Sequence, residues 1–363
     1  MSEIVIASFG DLLINREIPG SVFQHLAPLF AEADVIIGNY EGVLTDTPQP
    51  IAGRRGTTLS SVTNAQGLGA FSVLSLANNH ALDSGTGGLK DTLAAMASIG
   101  VQTTGAGLSY QDAWRPVYID CQGVRIAVFG VAGVFRAGTE ANAWQGGVAA
   151  IRSRDYYAAP FNGAIVPGVL PDVHTQIEED DWQYFAGLIA EARDQAELII
   201  ALTHWGDHRR EYVVTGFESE IARRMADAGV DVIIGHHHHQ MRGFQWHQQT
   251  LTCYGLGNAV FDQPRMSADG TPEGTGFLLA DNARYSAVVI TRYQQRSLIS
   301  AHLLPLFITE DTPIPIVRDS DEWHKFLDIQ AHCARESQFP SLVVDRHCYW
   351  NNFALLDLKS FDE

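Results

Sequence analysis

Residues able to do chemistry cluster in this chain directly after short apolar runs. Ile4–Phe9 leads into Gly10-Asp11, and Val35–Gly38 into Asn39-Tyr40-Glu41-Gly42. Phe71–Leu76 leads into Ala77-Asn78-Asn79-His80, with Asp83 a turn later. Leu198–Leu202 is followed by Thr203-His204-Trp205-Gly206, and Val230–Gly235 by four consecutive histidines, His236 to His239. Tyr254-Gly255-Leu256-Gly257-Asn258 closes a further run. Carboxylate oxygens, an amide oxygen and imidazoles together suit a divalent ion such as Zn, Mn, Fe or Ca. A metal cup assembled from loops accounts for five strand ends carrying these types. A lone Asp after a strand is more often a turn residue or helix cap; the set as a whole reverses that balance.

The elements that must position these loops follow from hydrophobic patterning. The runs above are nearly continuous in Val, Ile and Leu, as in strands covered on both faces. Between them, residues 20–33, 86–99, Asp181–Gln195 and 217–228 have helical spacing, closed by Gly100 and Gly229 in two cases. Alternation of strand and helix predicts an α/β sandwich, whose ligands sit beyond the carboxyl ends of the strands. Val124–Val131 adds a further strand. Gln249–Tyr254, Tyr285–Arg292 and Leu298–Leu304 read as antiparallel strands of a second sheet. Residues 132–180, rich in Gly, Ala and Pro, read as a long surface excursion of the kind that covers a site. The catalytic domain is expected over 1–305. A C-terminal extension over 306–363, with a helix near 320–336 and an aromatic tail, is expected to pack on it through Cys348, Tyr349 and Trp350.

Composition narrows the partners. The 363 residues carry 24 Lys plus Arg against 42 Asp plus Glu, a formal charge of −18. That excess opposes binding by counterion release and repels anionic lipid, so neither nucleic acid nor a membrane surface is expected as partner. The largest basic clusters are only the pairs Arg54-Arg55 and Arg209-Arg210. Cys121, Cys253, Cys333 and Cys348 have no metal or redox spacing and read as free thiols of a reducing compartment. No segment reaches the roughly 18–20 apolar residues of a spanning helix, and a cytoplasmic location is the expectation.

In order and content the loop motifs resemble the calcineurin-like metallophosphatases, and more closely their CapA branch, named for poly-gamma-glutamate capsule synthesis. That branch reads GD, N-x-E-G, A-N-N-H-x-x-D-x-G, H-W-G, G-H-H-x-H and S-L-G-N. The resemblance spans residues 10 to about 262 and implies a four-layer αββα sandwich with two central mixed sheets flanked by helices. It also implies roles. Asp11, Glu41, Asn79, His204, His237 and His239 would bind one or two divalent ions. His80 would act as general acid, oriented by Asp83.

Three positions depart from the pattern. Leu13 stands where most calcineurin-like phosphatases have a metal-binding histidine two residues after the first aspartate. His208 replaces a glutamate four residues after the histidine of H-W-G, and His238 replaces a proline. Alternate residues of an extended segment face opposite sides, so His236 and His238 are expected to point away from His237 and His239. His25, His174, His247, His302, His324, His332 and His347 read as surface or satisfied core residues, and Trp205 as packing.

Three functions follow from the resemblance. The first is a metal-dependent hydrolase of an amide, gamma-glutamyl or other peptide-like bond, or of a small phosphoester. The second is a metal-dependent peptide epimerase, with His80-Asp83 as one acid–base pair and His208 with Asp207 or Asp11 as the other. The third is a non-catalytic accessory that binds peptide or polymer.

Overall fold

Along the strand Ile4–Leu13, side chains divide by parity between two cores. Ile4 and Ile6 join one cluster with Val35, Ile37, Ile200, Leu202, Val232 and Ile234. Val5, Ala7 and Phe9 join another, with Ile36, Leu74, Leu89 and Met96. A strand buried on both faces needs no polar alternation, which is why its sequence reads as an unbroken apolar run. The structure, a computed structural model, describes residues 3–49, 51, 56–159, 168–262, 264–266, 272–275, 281–309, 312–340 and 342–359. The Arg54-Arg55 pair lies outside them.

Two mixed sheets carry the fold. In the ten-stranded sheet, Ile4–Leu13, Val35–Tyr40, Val73–Ser75 and Gln102–Thr104 run parallel. Tyr285–Gln294 and Ser297–Thr309 extend it antiparallel on the other side. In the six-stranded sheet, Val124–Ala132, Leu198–His204, Val232–His236 and Thr250–Cys253 run parallel. The core holding Ile4 and Ile6 draws on both sheets. The helix Gly85–Ser98 packs on the outer face of the first sheet through Leu89 and Met96. Glu179–Arg193 and Gly216–Asp227 pack on the outer face of the second through Phe185, Ile189, Ile221 and Met225. The order of layers is therefore helix, sheet, sheet, helix, an α/β architecture.

Several expectations shift. Residues 20–33 form two short 3-10 turns and a helix over Ala27–Glu32 only. Pro28 has no N–H to donate and belongs in a first turn, so the helix cannot extend back through it. Thr250–Cys253 is parallel to Val232–His236 and lies in its sheet, while Tyr285–Gln294 pairs directly with Ile4–Leu13. The late strands thus enlarge both early sheets instead of forming a separate one. Short apolar runs specify burial but not their neighbour, which long-range pairing decides.

The stretch 132–180 contains an exposed hairpin of Ser153–Ala158 and Asp172–Ile177. Ser297–Thr309 runs through position 305 without interruption. After the helix Asp321–Glu336, the strands Val343–Trp350 and Phe353–Leu358 pair with each other, and the second joins Ser297–Thr309. Cys348 and Trp350 pack on the core, whereas Tyr349 is exposed beneath the Arg318 guanidinium. All four cysteines are free. No helix among the described residues is long and apolar enough to cross a membrane.

Candidate metal centre

The parallel strands of both sheets end on the same side, and their terminal loops meet there. His236, the last residue of its strand, reaches across to Phe9 O in the other sheet (3.1 Å). Close backbone contact brings the loops together: a Cβ on Gly10 would lie 2.0 Å from Gly257 O. Only glycine permits that approach.

Asp11 sits where the pairing registers of its strand shift against both neighbours. Such a bulge re-aims a side chain out of the regular alternation. Its Oδ1 accepts from Asn39 Nδ2 (2.8 Å) and its Oδ2 from the backbone N–H of His237 (2.9 Å). Asn39 also lies 3.4 Å from His204 Nδ1, and Asn78 donates to Asn39 Oδ1 (3.2 Å). Asn39 and Asn78 thereby link the strand-end loops of Asp11, Asn39, Asn78 and His204.

Glu41 is fully buried, and neither carboxylate oxygen has a hydrogen-bond donor among the described residues. His204 Nε2, His239 Nε2 and His80 Nε2 surround its Oε1 at 3.5, 3.8 and 3.9 Å. Burial, then repulsion from Asp11 and Asp83, pushes its pKa well above the ordinary carboxylate range. An unpaired buried carboxylate costs several kcal/mol unless a cation compensates it. Burial, then neighbouring imidazoles, hold His204 and His237 well below the usual histidine pKa, which keeps them neutral as ligands must be.

The potential ligand atoms of Glu41, His204 and His237 lie within 4.8 Å of one another, as do those of Asp11, Glu41 and His239. The two groups share Glu41. Asn79 Oδ1 approaches His204 Nε2 to 2.7 Å, adding an amide oxygen to the same cluster. This orphaned carboxylate within an oxygen and imidazole set fits a divalent ion. Leu13, at the position of the missing histidine, is buried in the outer core of its sheet.

Beside the cluster, His80 Nδ1 lies 2.6 Å from Asp83 Oδ2, which also accepts from the backbone N–H of Thr58 (2.9 Å). Arg136, from the 132–180 stretch, places Nε 3.5 Å from Asp83 Oδ1 and donates to Asn79 O (3.1 Å). His208 Nδ1 stands 3.2 Å from His237 Nε2. Asp207 engages Arg209, with Nε to Oδ1 at 2.9 Å.

The four-histidine run divides as alternation predicts, but by a different route. The strand ends at His236, and the next residues form a turn in which His237 (φ 91°) and His239 (φ 56°) are left-handed. His237 and His239 face the carboxylates, and Asn258 Oδ1 holds His239 Nδ1 at 2.8 Å. His238 Nε2 lies 2.9 Å from the buried Glu218 Oε1. Trp205 is buried, with its Nε1 donating to Tyr254 O (2.9 Å), in keeping with a packing role.

Every candidate site residue named from the sequence therefore reaches this one pole of the molecule. Sequence reasoning gave no role to Asn39, Asn258, Glu218 or Arg136. The first two stood inside the quoted motifs. Glu218 and Arg136 lie on a helix face and in an aperiodic stretch, where spacing carries no signal.

Comparison with known proteins identifies the family. The sequence model of the bacterial capsule synthesis protein PGA_cap matches residues 5–263. The PGA biosynthesis protein CapA of Bacillus subtilis is 30% identical over 335 residues, covering 88% of this chain and 75% of that protein. The capsule biosynthesis protein CapA of Bacillus anthracis is 28% identical, covering 89% of this chain and 70% of that one. The crystal structure of a hypothetical protein from Thermus thermophilus aligns with a TM-score of 0.47 at 14% identity, over 83% of this chain and 98% of that one. The family match spans every strand-end loop described above, and the chain belongs to the PGA_cap family of CapA-like capsule synthesis proteins.

Proposed function

We propose that this chain is a divalent-metal-dependent hydrolase acting on a gamma-glutamyl or similar peptide-like amide, with a phosphoester as the second bond class its donor set suits. We further assign it to the calcineurin-like metallophosphatase fold, on the helix–sheet–sheet–helix layering and the site's place at the strand ends. The observation that carries the functional reading is Glu41, a buried carboxylate without a donor, surrounded by imidazoles and next to the His80–Asp83 pair. Asp11, Glu41, Asn79, His204, His237 and His239 would hold the ion. When bound, it supplies Lewis acidity toward the scissile group and lowers the pKa of water.

The protein's own residues do the rest. Asp83 fixes the ring of His80 through Nδ1, leaving Nε2 directed toward Glu41 and free to pass a proton to the leaving nitrogen. Thr58 and Arg136 in turn hold Asp83. Asn39 and the His237 backbone fix Asp11 from two sides. The epimerase alternative needs a second acid–base pair facing the first. Of the partners offered for His208, Asp207 is engaged by Arg209 and Asp11 belongs to the metal set.

The test is incubation of the metal-analysed protein with poly-gamma-glutamate, a gamma-glutamyl anilide and an aryl phosphate, in D2O, with Mn2+, Zn2+, Fe2+ or Ca2+ added in turn. Metal-dependent cleavage of an amide substrate, abolished by chelation and by His80→Ala, is the expected result. Deuterium uptake without cleavage would replace this reading with the epimerase. Inertness toward all three substrates with every ion would leave the accessory role.

A further inference from the structure

The C-terminal hairpin and the strand beside it carry a separate constellation of ligand-type side chains, including His302 and Cys348, which sequence reading assigned to the surface or core and to packing. His302 lies on Ser297–Thr309, directly opposite Asp357 on Phe353–Leu358. Cys348 on Val343–Trp350 is opposite Leu355, two residues before Asp357 and therefore on the same face of the sheet. The pairing register shifts between Val344 and Cys348, and His347 within the shift is left-handed (φ 55°). This bulge re-aims the strand and brings the Cys348 thiol toward the His302–Asp357 pair.

Potential ligand atoms of His302, Cys348 and Asp357 lie within 4.8 Å of one another. His302 Nε2 is 3.1 Å from Asp357 Oδ1, close to the separation of about 3.3 Å expected between two ligands of one tetrahedral ion. The other ring nitrogen, Nδ1, is buried with no hydrogen-bond partner among the described residues. Arg346 approaches Asp357 through the other oxygen, Oδ2 (3.8 Å). His302 and Asp357 also line a groove of about 840 Å³, which gives an ion a route from solvent.

We propose that His302, Cys348 and Asp357 form a second cation site, separate from the Glu41 cluster, that takes zinc or another thiophilic divalent ion. Sulfur with imidazole selects zinc over calcium or magnesium, and three protein ligands leave the fourth position to water. On binding, the Cys348 thiol releases its proton to solvent and the thiolate bonds the ion. The site joins the hairpin to Ser297–Thr309 and so fastens the chain's last strands to the ten-stranded sheet. This inference does not depend on the proposed hydrolase activity.

Cobalt(II) added to the metal-free protein provides the test, because a thiolate ligand gives a near-ultraviolet charge-transfer band that the sulfur-free Glu41 cluster cannot produce. The band is expected in wild type and in His237→Ala. Cys348→Ser should abolish it, while His302→Gln should weaken cobalt binding more than roughly tenfold. Zinc should displace the cobalt and raise the melting temperature of wild type more than that of Cys348→Ser. Circular dichroism confirms that each variant is folded. Absence of the band in wild type, or its persistence in folded Cys348→Ser, would overturn the proposal.

Discussion

His80 Nδ1 and Asp83 Oδ2 stand 2.6 Å apart, both buried, with the Thr58 N–H on the same carboxylate oxygen. A carboxylate held in this way fixes both the orientation and the tautomer of the imidazole. Asp83→Asn should therefore lower kcat by roughly 10- to 100-fold with little change in KM. His80→Ala should cost roughly 100- to 10,000-fold. Steady-state kinetics on whichever substrate is cleaved, with the fold checked by circular dichroism, separates the two roles. An Asp83→Asn variant as inactive as His80→Ala would mean that Asp83 does more than orient.

Glu41 is the group that the proposed cation would compensate most directly. Glu41→Gln replaces a buried, donorless carboxylate by a neutral amide of the same shape. In chelator the variant should melt higher than wild type, by about 1–3 kcal/mol of stability. Metal should stabilise wild type and leave the variant unchanged. Melting curves with and without added ion measure both effects, and equal metal stabilisation of the two proteins would contradict the assigned role.

Glu218 supports the histidine turn from beneath. Its Oε2 accepts from the backbone N–H and hydroxyl of Thr215, closing a capping box on Gly216–Asp227, while Oε1 faces His238. Removal of one partner from a buried pair costs about 3–5 kcal/mol. Glu218→Ala should lose about that much in denaturant unfolding, and Glu218→Gln distinctly less because it can still cap the helix. Equal losses for both would show that the contact with His238 contributes little.

Gly10 passes against the Gly257 carbonyl where the loops of Asp11 and Asn258 cross. Gly10→Ala places a methyl group 2.0 Å from that oxygen, and backbone cannot rotate away as a flexible side chain can. The substitution should cost about 1–3 kcal/mol or more and weaken metal binding, since Asp11 and His239 move with these loops. Thermal melts and metal titration report the two losses separately. Gly20→Ala, where a Cβ meets nothing within 4 Å, serves as the control.

Taken alone, the sequence marked which loops carry ligand-type residues and at which ends of the strands they lie. Strands buried on both faces must be continuously apolar, so the first polar residue after each run marks a strand end. Parallel strands bring those ends to one pole. That pattern located the loops; the family resemblance singled out Asp11, Glu41, Asn79, His80, His204, His237 and His239 within them. Tertiary structure decided how those residues engage one another. His237 and His239 turn inward because their backbone is left-handed, a conformation uncommon for histidine. It is held by the bond from the His237 N–H to Asp11, 226 positions away. The roles of Asn39, Glu218 and Arg136, the pairing of Thr250–Cys253 and the approach of Cys348 to His302 were likewise invisible to spacing. Each depends on a contact between distant segments, and local pattern encodes burial and period but not which distant partner completes a hydrogen bond or a ladder.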